Sequence, residues 1–228
     1  AYVKTTNDKD KDVVLSESQS YGMLITVRAA KKGLANQKDF ERLYKYYLSH
    51  RIEGNQLMSW EQIVQKSAKN VDDHNATDGD LYIAYALIEA SKQWPSHKDE
   101  YQTQAKALLQ DILKYNYNEN IGILTVGNWA NKDSKYYNLM RTSDTVPKQF
   151  QAFYEVTKDK KWLDINNKML SSLETISSKT KTGLIPDFIW VDESGARVVK
   201  PYTISNQFDS TYSYNACRLP YNLTQSND

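Results

Sequence analysis

The sequence predicts an all-α domain, and three observations carry that expectation. Apolar residues recur at three- and four-residue spacing in segment after segment. The segments come in pairs joined by only a few residues, the mark of antiparallel helical hairpins. Neither a parallel-sheet alternation nor a Gly-rich phosphate loop interrupts them. A length of 228 residues suits one domain, 1–228, with enough chain for a sizeable core. Residues 1–12, rich in Lys, Asp, Asn and Thr, read as a flexible, solvated tail.

The first helix is expected over about 18–32, with Met23, Leu24, Val27 and Ala30 as its stripe. The next covers about 37–50, with Phe40, Leu43, Tyr44 and Leu48 inward. The third, Ala76–Trp94, is strongly amphipathic: Leu81, Ile83, Ala84, Leu87, Ile88, Ser91 and Trp94 share one face, Tyr82, Tyr85, Glu89, Lys92 and Gln93 the other. Helices over about 98–115, 146–157 and 160–178 follow, and a last one begins near Tyr212. Longer links, 53–75, 118–144 and 179–210, carry the unusual residues; short strands are expected around 123–126, 185–191 and 195–199.

Composition excludes several classes of function. With 29 basic and 28 acidic residues the net charge is +1, leaving no polybasic field for nucleic acid. Every apolar run is far shorter than the roughly 20 residues that cross a bilayer, so no membrane partner is expected. Cys217 stands alone and is expected to be a buried, inert thiol. His50, His74 and His97 lack zinc spacing. A calcium loop counted from Asp73 fails, because Asp78 falls where glycine is required and Ala84 where the last ligand should be. No metal and no cofactor is therefore expected. The chain begins at Ala1 without methionine, as a processed secreted or cell-surface protein would, and as an expressed fragment also would. Seventeen tyrosines and five tryptophans suit a surface that must stack and hydrogen-bond together, as sugars require, although tyrosine also fills ordinary helical cores.

Two places can do acid–base chemistry. Ala76-Thr77-Asp78-Gly79-Asp80 sets two carboxylates at the mouth of the third helix, where they can also serve simply as caps. Ser16-Glu17-Ser18-Gln19-Ser20-Tyr21-Gly22-Met23 opens the first helix with a glutamate that the helix dipole alone would explain.

Taken together, these segments resemble glycoside hydrolase family 8. Ala76–Trp94 resembles its signature, whose first aspartate lies in the sugar-cleaving site, and the Glu17 segment its Ser-Glu-x-x-x-Tyr-Gly-Met motif, with Ser18 and Ser20 in place of the usual glycines. Leu57–Trp60 is similar to its Leu-x-x-Trp loop, and Val126–Ala130 to its Gly-Asp-Trp-Ala loop. Arg141–Asp144 is as in the branch containing chitosanases and lichenases, Gly183–Phe188 resembles Gly-Leu-x-Pro-Asp-Trp, and Tyr214–Pro220 resembles Tyr-Asp-Ala-x-Arg-x-Pro. The likeness covers about residues 15–221, in order.

The resemblance implies an (α/α)6 barrel of antiparallel hairpins with a long open cleft. It also implies an inverting, endo-acting hydrolase of β-1,4-linked polysaccharide, chitosan or a β-glucan. Glu17 would be the general acid, with a raised pKa, and Asp78 would hold the distorted sugar. Trp60, Trp129 and Trp190 would be stacking platforms; Tyr21, Arg141, Asp144, Tyr214, Asn215 and Arg218 would line the substrate. Asn215 stands where many members place the catalytic base, and an amide cannot activate water. Three explanations stay open: a base in the preceding loop, Asp209 first and Glu193 next; an inactivated, carbohydrate-binding relative; or a larger part for Asp78. Arg141–Asp144 favours the first. About seven helices are counted against the twelve of a closed barrel, so the ring is expected to be incomplete, with exposed apolar flanks that leave two alternatives open, self-association or loose packing.

Overall fold

The structure, a computed structural model, describes residues 1–6, 12–64 and 68–225. They fall into two compact units, residues 1–115 with 127–129, and 116–126 with the chain from 130 onward.

The first unit contains β1 (Thr5–Thr6), β2 (Asp12–Leu15), α1 (Ser16–Ala30), α2 (Gln37–Ser49), β3 (Glu61–Val64), β4 (Ala68–Asn70), α3 (Thr77–Gln93) and α4 (Lys98–Tyr115). The strands form an antiparallel sheet in the order β1-β2-β3-β4, with Val13 opposite Ile63. Residues 1–6, expected to be loose, are instead tied down. Thr5 pairs with Val13, the Ala1 ammonium donates to the Arg42 carbonyl, and the Val3 amide donates to Gln19 Oε1. The rest of that expected tail, residues 7–11, lies outside the described residues.

The helices fall where the apolar spacing puts them. Asn36 caps α2 by accepting from the Asp39 amide, and Asp39 returns the bond to the Asn36 amide, which fixes the start. Tyr46 and Tyr47 of α2 are buried, while Leu43 and Leu48 are only partly covered. α3 packs against both α1 and α4. Flanked on both sides, it also buries Tyr82 and Tyr85, which periodicity alone places on a polar face. Phe40, Tyr44, Trp94 and Tyr101 form an aromatic cluster with ring centroids 5.3–6.2 Å apart.

The second unit contains β5 (Tyr117–Asn118), β6 (Ile123–Leu124), β7 (Leu139–Arg141), α5 (Pro147–Thr157), α6 (Lys161–Ser177), β8 (Phe188–Asp192), β9 (Gly195–Val198) and α7 (Leu219–Thr224). β7, β8 and β9 make an antiparallel sheet, and β5 pairs with β6. α5 and α6 form a hairpin around fully buried Trp162, whose ring meets Phe150 and Phe153 at 6.0 and 5.0 Å. The last helix is shorter than expected. α7 begins at Leu219, preceded by a 3-10 turn at Ala216–Arg218, so Tyr214 lies before the helix rather than one turn back on it. Asp187 is the reason: its Oδ1 accepts from the Ser213 and Ala216 amides and holds the chain in a turn there. Cys217, expected to be buried, is exposed on that turn.

Candidate active site

In the first unit, β2 runs directly into α1 and fixes where the helix starts. The Ser16 amide donates to the Trp60 carbonyl at 2.8 Å, and the Trp60 amide donates to the His74 carbonyl at 2.7 Å. Three segments distant in sequence are thereby stitched side by side. α1 and α3 then meet tip to tip at Ser16 and Gly79. A Cβ on Gly79 would overlap Ser16 Oγ and lie 2.7 Å from Ser16 Cβ and 3.1 Å from its carbonyl carbon. Glu17 and Asp78 each stand one residue from that contact, in the first turn of their helices, where the dipole favours an anion.

Glu17 is held at both oxygens. Ser16 Oγ donates to Oε2 at 3.1 Å, and the Trp60 indole N–H donates to Oε1 at 3.3 Å. Trp60 keeps 40% of its surface exposed, which leaves a ring face for a ligand. Asp78 is buried and accepts from the Gly79 amide at 3.2 Å. Tyr21, one turn along α1 from Glu17, packs edge-on against Tyr82, with ring centroids 5.0 Å apart.

Asp80, read from sequence as one of two carboxylates at the mouth of the third helix, proves to be a hub. It is wholly buried, and burial pushes its pKa up to about 8; the charges of Asp78 and Glu17 add to this, against the hydrogen bonds from Met58 and Asn75. Its Oδ1 accepts from the Met58 amide at 2.9 Å and its Oδ2 from Asn75 Nδ2 at 2.8 Å. Asn75 in turn exchanges two hydrogen bonds with Asn128: Asn128 N–H to Asn75 Oδ1 at 2.7 Å, and Asn75 N–H to Asn128 Oδ1 at 3.2 Å. Trp129 follows at once, its indole edge so close over Gly127 that a Cβ there would lie 2.5 Å from Trp129 Nε1 and from the Asn75 carbonyl oxygen. Sequence reasoning misses Ser16, Asn75 and Asn128 as site residues, and it gives Asp80 no role beyond that of a helix-start carboxylate. Only tertiary contact exposes them, Ser16 against Gly79, Asp80 through Met58 and Asn75, and Asn75 against Asn128, and no local signal marks these pairings.

In the second unit, Arg141 and Asp144 form an ion pair at 3.7 Å across the 3-10 turn Thr142–Asp144, with the Arg141 guanidinium 5.9 Å from the Phe188 ring. Asn215 is a connector: its Nδ2 donates to Asp187 Oδ2 at 3.3 Å, and its Oδ1 accepts from the Arg218 guanidinium at 2.7 Å. Tyr214 is 85% exposed. Trp190 lies on β8 opposite Leu139, and Glu193 sits exposed between β8 and β9. Asp209 is buried and fully engaged. It accepts from the amides of Ile204, Ser205 and Asn206 and from the Ser205 hydroxyl, at 2.6–3.2 Å. Burial pushes its pKa up, but these four donors outweigh it and hold the carboxyl below its usual range. It ties its loop, and it would accept a proton only on giving up one of those bonds.

Among the described residues, no group of three or more His, Cys, Asp or Glu is placed to hold a metal ion, and no helix is long and apolar enough to cross a membrane.

The profile of "Glycosyl hydrolases family 8" matches residues 2–228. The chain is 33% identical over 227 residues to a β-glucanase of Niallia circulans, covering 97% of this chain and 54% of that protein. It is 35% identical over 213 residues to an endoglucanase of Bacillus sp. (strain KSM-330), covering 91% of this chain and 45% of that one. The solved β-1,3-1,4-glucanase from Paenibacillus sp. X4 superposes with a TM-score of 0.85 at 31% identity, over 98% of this chain and 58% of that one. The chain thus spans about half the length of the relatives it matches. The helical hairpins and this likeness agree with the (α/α)6 class, of which the chain carries part.

Proposed function

The chain belongs to glycosyl hydrolase family 8, and from that premise we propose that it acts on β-glucan as an endo-acting, inverting hydrolase of β-1,4 linkages. The observation that carries this reading is the tip-to-tip meeting of α1 and α3 at Ser16 and Gly79, which sets Glu17 and Asp78 on either side of one contact. The names of the relatives, a β-glucanase and an endoglucanase, support β-glucan over chitosan as the substrate.

Glu17 is the general acid that protonates the leaving sugar oxygen. Its carboxyl is aimed by two short-range donors, the Ser16 hydroxyl and the Trp60 indole, so little ordering is left to be done when the sugar arrives. Asp78, acceptor-rich at a helix start, takes hydroxyl donors of the sugar beside the scissile bond. The exposed Trp60 ring and Trp129 supply stacking faces for neighbouring sugars. Inversion further requires a second carboxylate, acting as base on a water. Asp209 is the weaker of the two candidates for that base on its depressed pKa, and Glu193 the freer on its exposure.

The test is release of reducing ends from lichenan, carboxymethylcellulose and chitosan, with viscosity followed in parallel. Rapid viscosity loss on the glucans, with the α-anomer appearing first by proton NMR, is the expected result. Retention of glucan with no bond cleaved would instead identify a silent binding relative, the reading that Asn215 favours.

A further inference from the structure

We infer that Asp80 is a positioning residue: through Met58 on one oxygen and Asn75–Asn128 on the other, it sets the two loops that present Trp60 and Trp129. The inference rests on the proposal that these two rings contact the glycan, but the placement it asserts is measurable without one.

Both loops are irregular, and both need an anchor. Residues 53–60 reach Trp60 without a helix, held by backbone bonds such as Ile52 N–H to the Leu57 carbonyl and Ser59 N–H to the His50 carbonyl, by the Gln56 amide donating to Asp111 Oδ2, and at Trp60 by its bonds to Ser16 and His74. Residues 127–129 belong to the first unit only through their contacts, since the chain on both sides of them belongs to the second. Each loop is fastened to the first turn of α3 by way of one carboxyl group. The Met58 amide, two residues before Trp60, donates to Asp80 Oδ1. Asn75 Nδ2 donates to Asp80 Oδ2, and this orients the Asn75 amide so that its own oxygen faces the Asn128 amide, one residue before Trp129.

The donor and acceptor pattern admits one solution. Asp80 faces two N–H donors, so both of its oxygens must accept, and a carboxyl group keeps a lone pair on each even when one of them carries a proton. Asn75 cannot turn its amide over, because its oxygen is already taken by Asn128 N–H at 2.7 Å. A carboxyl group at position 80 satisfies the whole chain of bonds, and an amide there satisfies only half of it. Keeping an ionisable group in a wholly buried place is costly, and Asp80 does not cap α3 in return: the helix starts at Ala76 without a side-chain cap, and the Asp80 oxygens accept from Met58 and Asn75, both outside it.

The same pattern supplies the test. Asp80→Asn turns one N–H donor against another, at Met58 or at Asn75. Combining Asn75→Asp with Asp80→Asn exchanges the two side chains and restores each of these bonds. The amide now at position 80 accepts from Met58 through its oxygen and donates through its nitrogen to one oxygen of the carboxylate at position 75. The other oxygen of that carboxylate accepts from Asn128, and the count of ionisable groups is unchanged. The readout is the indole N–H resonances of the full chain in a 15N-labelled sample, assigned with Trp60→Phe and Trp129→Phe, together with glucan affinity on lichenan gels.

In Asp80→Asn the Trp60 and Trp129 signals are expected to move or broaden while those of Trp94, Trp162 and Trp190 stay. Lichenan affinity is expected to fall about tenfold, the usual scale for one buried donor left unsatisfied. The exchanged variant should recover both. Unmoved Trp60 and Trp129 signals in Asp80→Asn would overturn the inference, and so would an exchanged variant that fails to recover them. If Asp80→Asn does not fold, the exchanged variant alone decides by the same signals. Should the indole signals behave as stated while even the wild-type chain ignores lichenan, the brace stands and the glycan reading falls.

Discussion

Replacing Gly79 by alanine tests the contact on which the candidate site is built, and it does so through the sign of the effect. Gly79 lies inside the first turn of α3 with ordinary helical backbone, and alanine in a helix is favoured over glycine by about 1 kcal/mol. Without the contact, the substitution would stabilise the chain. With it, the new Cβ lies 2.7 Å from Ser16 Cβ, about 0.7 Å inside ordinary carbon contact, and overpacking of this kind costs about 1–3 kcal/mol. The upper end applies, because the third close atom is the Ser16 carbonyl carbon at 3.1 Å, and backbone cannot escape by changing rotamer. The net loss is then about 2 kcal/mol, which lowers the melting temperature by about 4–8 °C in a chain of this size. Activity should suffer more than stability. Parting the two tips by most of an ångström moves Glu17 relative to Asp78, and misplacement by about 1 Å costs about a hundredfold in rate. Ser16→Gly in the same chain removes the Cβ and hydroxyl in the way but leaves the carbonyl carbon, and should return part of the stability lost, measured as a double-mutant cycle by thermal circular dichroism beside reducing-sugar release. A Gly79→Ala chain that melts higher than wild type and turns over at the wild-type rate would refute the reasoning.

Glu17→Gln keeps an oxygen for the Trp60 indole but carries no transferable proton; turnover on lichenan should drop by about 10²–10⁴ while retention on affinity gels is unchanged, and a wild-type rate would remove Glu17 as the acid. Because the folded pKa of Asp80, about 8, lies above its unfolded value, the native state holds a proton that the unfolded chain has released over the intervening range. Stability should therefore fall as pH rises from about 4 to about 8, by up to about 1.4 kcal/mol per unit from this group. Urea unfolding across that range should show this slope in wild type and lose it in Asp80→Asn; equal slopes in the two would contradict the assignment. Asn215→Asp installs the carboxylate many relatives of this motif carry, but here it faces Asp187 Oδ2, with the present amide nitrogen only 3.3 Å away. It should cost about 1–3 kcal/mol above the carboxylate range and less in acid, where one of the pair is protonated; an unchanged melting temperature at pH 8 would show that the two groups do not press on each other.

Most helices are readable because each carries a periodic apolar stripe long enough to outweigh local noise. The expected segment 98–115 coincides with α4, and 37–50 differs from α2 by one residue. The sheet β1-β2-β3-β4 is not readable, since its strands are two to four residues long and its defining pairs, such as Val13 with Ile63, join segments 50 residues apart. Tyr82 and Tyr85 mislead for a related reason: a tyrosine suits either a wet face or a helix-packed one, and only the neighbours decide. The end of the chain departs from expectation at Asp187, whose distant carboxylate holds Ser213 and Ala216 in a turn that no residue near Tyr214 announces.

The order of residues alone determined where the helices up to α6 run to within a few positions, where their apolar stripes lie, and which carboxylates stand near their starts, because those depend on neighbours within a few positions along the chain. It also determined the family, since motif after motif lies in sequence. Only tertiary structure decided that Ser16 touches Gly79, that Asp80 is sealed from water at the centre of a hydrogen-bonded brace, and that Asn75 and Asn128 clasp each other. Burial and hydrogen-bond partnership are set by atoms brought together from 22 to 63 positions away in the chain, and no local pattern of side chains encodes which partner will arrive.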